Sequence, residues 1–451
     1  MMMSMVLEPL DVVERYLGLS SDPKAAYQEI AGWLKRYIKT ERWDNLRETL
    51  PRLMIPGLDF TSAFSLYRMM QQVSRRVRLH DRQTKIAVLG SCTTHQLNSL
   101  IELYLCAGRV GAEIYEADYG TYRQELLDPE SELYRFQPDF IILATSWRDL
   151  GHRPELSDDR ASVKRKVEEE LADWMLLWRT AHDRLGCQII VNDFDVPPWR
   201  SLGNYEMRHP SGFARYVALV NLALSDAAPA YVTIHDIDYL SATWGRWEWG
   251  DERFYHHAKM PCSPEHLVDY AHSLASLILA QLGVARKCLV LDLDNKLWGG
   301  VIGDDGLGGI RLGQGDPESE AFVAFQRYIK SLRDRGVILA VCSKNTDSIA
   351  REVFENHPEM VLRLSDISCF VANWDDKGTN LARIAEELNI GFNSLVFVDD
   401  NPAERAIIRR LHPEVAVPEL PETVASLLGN LIPRPVIGPG KRVIDRGWEQ
   451  T

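Results

Sequence analysis

Apolar residues recur at helical spacing across residues 27–37 and again across 64–77, which predicts a helical N-terminal region over residues 1–83. From residue 84 the pattern changes. Short apolar runs at 85–89, 112–115, 140–144, 188–192 and 231–234 alternate with helical stretches, notably 97–107, 161–185 and 212–227. Strand and helix in alternation predict a parallel sheet covered by helices on both faces, a three-layer α/β/α domain over 84–284. The chain then repeats the scheme. Strands are predicted at 288–291, 337–342, 369–372 and 394–398, with helices at about 317–335, 347–356 and 378–388. That makes a second parallel α/β domain over 285–425. Prolines become frequent after Pro418, and residues 426–451 read as a loosely attached tail.

Composition adds bounds. The 451 residues carry a net charge of −13, which gives no basic surface for nucleic acid. Seven scattered cysteines with no CxxC pair argue against a disulfide framework or zinc site and for a reducing cytoplasm. The N-terminus lacks a basic flank and a small-residue cleavage site, and no apolar run approaches the length of a membrane span. Neither a signal peptide nor a membrane anchor is expected.

The chemistry gathers at predicted strand ends of the second domain. Strand 288–291 runs into Asp292-Leu293-Asp294-Asn295, two carboxylates two residues apart with no cation between them. In an open α/β sheet ligands bind beyond the carboxyl ends of the strands, and such a pair calls for a cation. A pair of aspartates that merely caps the next turn is the plain alternative. Ser343 follows strand 337–342, Lys377 opens a helix in NWDDKGTN, and Asp399-Asp400 ends strand 394–398. A nucleophile, an acid/base, a hydroxyl, a cation and a further metal ligand make up a phosphoryl-transfer site.

These four pieces in this order resemble the haloacid-dehalogenase-like superfamily, with its Rossmannoid sheet. The resemblance implies that Asp292 attacks phosphorus and that Asp294 is the general acid/base. It implies that Ser343 and Lys377, with Asn295 and Asn345 beside them, hold the phosphoryl oxygens. Mg2+ would be held by Asp292, the carbonyl of Asp294 and the Asp399/Asp400 pair, Asp400 favoured. Lys296 departs from the pattern, standing where Thr or Val is expected; it either helps bind a doubly charged substrate or points outward. About fifty residues between Asp294 and Ser343 leave room for only a minimal cap.

More narrowly, LDLDNKLWGGVIGDDGLGGIRLG, CSKN, NWDDKGTN and VFVDDNPAER resemble the FkbH-like enzymes of polyketide pathways. The resemblance implies a bifunctional glyceryl transferase/phosphatase. Such an enzyme loads a glyceryl unit from 1,3-bisphosphoglycerate onto the phosphopantetheine of an acyl carrier protein. The middle domain accordingly resembles SGNH-type hydrolases, whose nucleophile follows the first strand. Leu89-Gly90-Ser91-Cys92 puts Cys92 in that place, at a helix N-terminus expected to lower a thiol's pKa. Asp251 and His256, or the adjacent His257, stand where SGNH folds carry their Asp/His block, and Arg148 is a candidate for the substrate phosphate. The competing readings are a Mg2+-dependent small-metabolite phosphatase with an inert middle domain, or a non-catalytic carrier-docking module.

Overall fold

The computed structural model describes residues 23–54, 58–418 and 420. The first 22 residues of the expected helical region and the tail at 426–451 lie outside the described residues. The chain divides into two compact units, residues 34–275 on one side and residues 276–451 with 1–33 on the other. Both expected sheets are present, both wholly parallel.

The first unit opens with helices Trp43–Thr49 and Phe60–Ser74. The latter is capped by Asp59, which accepts from the N–H groups of Thr61 and Ser62. Its Tyr67 and Gln71 bond Glu102 on helix His95–Ala107, which ties this helical start to the sheet domain. Five strands follow: β1 (Arg82–Gly90), β2 (Val110–Glu116), β3 (Phe140–Ala144), β4 (Gln188–Asn192) and β5 (Val232–His235). Their order, β2-β1-β3-β4-β5, reverses direction between β1 and β3, and ligands bind at such a switch point. Ala87, Leu89, Ile141, Leu143, Ile189 and Val191 share one sheet face and bury Trp174, Trp178 and Tyr216 beneath two long helices.

The second unit holds β6 (Cys288–Leu291), β7 (Ile338–Ser343), β8 (Cys369–Ala372) and β9 (Leu395–Val398), ordered β8-β7-β6-β9. Successive strand residues point to opposite faces. Leu289, Leu291, Leu339, Val341, Val396 and Val398 therefore meet Phe322, Phe325 and Phe354 on one side, while Val290, Ala340, Cys342 and Phe397 meet Leu381, Ile384 and Ile408 on the other. Burial on both faces is why these strands read as unbroken apolar runs. Between β6 and helix Pro317–Asp334 lie only a four-residue helix, Ile302–Asp305, and two isolated bridges, Asp294 to Trp298 and Gly299 to Arg311. The cap is minimal, as expected. Helix Pro402–Leu411, not anticipated from the sequence, starts with Asn401 as cap and proline in its first turn.

Candidate active site

Every strand of the second sheet leads into part of the site. Asp292 stands one residue past β6, its N–H bonded to Val398 at 3.0 Å, so β9 sets its place. Lys377 is the first residue of helix Lys377–Glu387, with Asp376 as its cap. Its buried ammonium donates to Asp292 Oδ2 at 2.8 Å and to Asp399 Oδ2. Asp292, Asp399 and Asp400 together offer three carboxylate oxygens within 4.8 Å of one another. Asp399 is fully buried, Asp400 exposed. Arg405 donates to the main-chain carbonyls of both, at 2.9 and 2.8 Å, and so fixes their backbone.

Electrostatics follow from this crowding. Burial and the charge of Asp292 push the Asp399 carboxyl up to about 6, although Lys377 opposes the shift. Burial works against the charged form of Lys377 as well, but Asp292 and Asp399 outweigh it and hold the ammonium protonated. Burial pushes Asp294 up, against hydrogen bonds that favour its ionised form. Those bonds come from Trp298 Nε1 at 2.9 Å and Ile302 N–H at 3.1 Å to Oδ1, and from Asn345 Nδ2 at 2.8 Å to Oδ2. Asn345 also lies 3.4 Å from the Ser343 hydroxyl, so β7 supplies a paired hydroxyl and amide.

Asp292, Asp294, Ser343, Asn345, Lys377, Asp399 and Asp400 are thus brought to one sheet edge. Asn295, expected to bind phosphate, instead shapes the loop. It is exposed, adopts φ +55° and accepts the Gly300 N–H at 3.0 Å. Gly300 itself has φ +94°, and a Cβ there would come within 2.5 Å of Asp305 Oδ2. Trp298 and Arg405, which hold Asp294 and the acidic pair, were not singled out in the sequence. The Trp298 spacing of four from Asp294 was the available signal. Lys296 points inward, 5% exposed.

In the other unit Ser91, Cys92, Arg148, Asn192, Asp195 and Tyr255 are among the residues lining a cleft at the β1/β3 switch point. Gly90 permits it, since a Cβ there would meet the Ala144 carbonyl oxygen at 2.7 Å. Three sequence expectations need correction here. The helix begins only at His95, with Thr94 before it, so Cys92 gains little from its N-terminus. Its buried thiol donates to the Ala144 carbonyl at 3.4 Å, and burial, with Asp149 and Glu116 adding to it, pushes its pKa up, not down. His256 and Asp251 do not line the cleft. The turn of helix Glu252–Ala258 that sends Tyr255 inward sends His256 to solvent, 3.4 Å from Glu252, while Asp251 caps the helix and pairs with Arg253 at 2.6 Å.

The cleft has its own polar set. The Ser91 hydroxyl donates to Asp149 Oδ2 at 2.5 Å. Burial pushes Asp195 up to about 6. Arg148 lies over the rings of Tyr255 (3.8 Å) and Trp147 (4.3 Å) and bonds Glu252 at 2.6 Å. Behind it, Asn192 donates to the Tyr270 hydroxyl at 2.6 Å and takes a bond from His235 Nδ1 at 2.9 Å.

Residues 85–279 match the family model described as FkbH, N-terminal domain. No curated protein matches the chain. Among solved structures, the chain is similar to the crystal structure of the N-terminal part of the protein BF1531 from Bacteroides fragilis, containing a phosphatase domain complexed with Mg. The identity is 33%, the TM-score 0.74, and the match covers 82% of this chain and 98% of that one. With the phosphatase-like sheet edge in one unit and the family's N-terminal domain in the other, this chain belongs to the FkbH-like family.

Proposed function

We propose that the chain is a bifunctional glyceryl transferase/phosphatase that acts on a phosphopantetheine-bearing acyl carrier protein, in a polyketide pathway. The observation that carries the phosphatase half is the convergence of Asp292, Asp294, Lys377 and the Asp399/Asp400 pair at one strand edge. Asp292 forms a P–O bond as the bond from phosphorus to the glyceryl oxygen breaks. Asp294, whose carboxyl burial pushes upward, gives that oxygen its proton. Asp294 then takes a proton from water, which hydrolyses the aspartyl phosphate and frees Asp292. Lys377 orients the nucleophile, and Ser343 with Asn345 offers hydrogen bonds to phosphoryl oxygens. The three clustered carboxylates fit Mg2+, a hard cation that takes oxygen ligands. When bound there, it supplies positive charge beside the phosphoryl oxygens.

In the other unit the 3-phosphoglyceryl group of 1,3-bisphosphoglycerate passes to Cys92. A C–S bond forms, the C–O bond to phosphate breaks, and the group then moves to the carrier thiol. The thiol proton needs an acceptor, and Asp195 in the same cleft fits that role better than the outward-facing His256. Seven free thiols support a cytoplasmic setting. A protonated, buried Cys92 is the feature that favours the rival reading, a phosphatase whose other domain is inert. Intact-mass spectrometry separates the two. Carrier protein mixed with Asp292→Asn enzyme and 1,3-bisphosphoglycerate should accumulate the phosphoglyceryl adduct, whereas wild type should yield the glyceryl adduct. Unmodified carrier in both mixtures overturns the transferase half.

A further inference from the structure

Lys296 has no role in the site as described. It follows the left-handed Asn295, and its N–H and that of Leu297 both close on the Leu293 carbonyl, at 3.1 and 2.8 Å. This tight turn drives the side chain inward, to 5% exposure. No hydrogen bond or ion pair holds its ammonium among the described residues. The stem is buried, but the ammonium nitrogen is not among the atoms shut off from solvent, so it is open to an anionic partner. The charged groups that bear on it most are Asp400, Asp399 and Asp292, with Arg405 the cation among them. Lys296 lies inward in the loop that leaves β6, two residues after Asp294, and none of those carboxylates approaches it within ion-pair distance.

Charge counting says what is missing. Asp292, Asp399 and Asp400 carry −3, Lys377 supplies +1, and the cluster suits a divalent cation. Those three carboxylates, Lys377 and a divalent cation together sum to zero; Arg405 is bonded to the main-chain carbonyls of Asp399 and Asp400, and Lys377 is already committed to two carboxylates. Among the described residues, Lys296 is the cation of this site whose ammonium has no hydrogen bond or ion pair, and so the one a phosphomonoester dianion would find uncommitted. Resting on the phosphatase reading above, we propose that Lys296 is a phosphate-binding residue that donates to a non-bridging oxygen of a phosphoryl dianion.

Inorganic phosphate is the probe, titrated calorimetrically into full-length protein in saturating Mg2+, with Mg2+ affinity measured separately without phosphate. K296M should weaken phosphate binding at least about tenfold, the worth of one charge-assisted hydrogen bond. K296R, which keeps the charge, should hold it within about threefold of wild type. K296Q, read in the same way, answers should K296M fold poorly. If K296M binds phosphate within about twofold of wild type while K377M loses it, the Lys296 assignment is wrong and the site reading stands. If neither variant changes phosphate affinity, or wild type binds none, both fall. Tighter Mg2+ binding by K296M with phosphate affinity unchanged also overturns the assignment, since Lys296 would then act on the metal.

Discussion

Lys377→Met tests how the catalytic edge is held together. The wild-type ammonium is 4% exposed and bridges two carboxylates, one of them fully buried. A contact of 2.8 Å at an effective dielectric of about 20 is worth about 6 kcal/mol of attraction, much of it offset by desolvation. Removing one partner leaves Asp292 and Asp399 facing each other without compensation, a loss of about 3–5 kcal/mol. The pH dependence gives the test its edge. Asp399 already sits near 6, above its unfolded value of 3.8, so the folded state binds the extra proton between those values. Stability from this group is therefore lost as pH rises through that window. Without Lys377 the carboxyl rises further, and the loss continues to higher pH. On top of the lost Asp292 contact, the gap between variant and wild type should widen as pH rises from about 5 to about 8. Hydrogen exchange of β6 and β9 peptides in chelator reads it locally. A gap below about 1 kcal/mol at pH 8, or one that does not vary with pH, would refute the ion-pair account.

Chelation should abolish phosphate release, as Asp292→Asn should, and added Mg2+ should restore it; full release in excess chelator sinks the metal assignment. Asn345→Ala removes one bond from the Asp294 carboxylate and should lower phosphate release by about tenfold; an unchanged rate means Asp294 does not depend on it. In the free protein Cys92 should react with iodoacetamide much more slowly than an exposed cysteine does at pH 8, because burial holds it as a thiol; fast labelling mapped to Cys92 would contradict this. His235 is fully buried, and burial pulls it down to about 3, so unfolding takes up a proton between about pH 6.5 and 3. Stability should fall by up to about 1.4 kcal/mol for each pH unit across that window, and His235→Gln should flatten the slope in urea titrations.

Much of the fold is legible in the linear pattern. Strands buried on both faces announce themselves as apolar runs, and β3, β4, β6 and β8 fall where those runs lie. The phosphatase-like edge is also legible, because a parallel sheet gathers its strand ends at one rim. Residues at or just past the strand ends, such as Asp292, Ser343 and Asp399, must meet there. Residues off the strand ends are a different matter. Whether Lys296 pointed inward or to solvent depended on the left-handed turn at Asn295 and on the packing that buries it. Helix Glu252–Ala258 could present either Tyr255 or His256 to the cleft, and only the rotation at which it docks chose Tyr255. The motif brings Cys92 to the cleft after β1, but the proton affinity expected of its thiol is reversed. Burial and the acids Asp149 and Glu116, distant in sequence, decide it, and their influence exists only once the chain is folded around that sulfur.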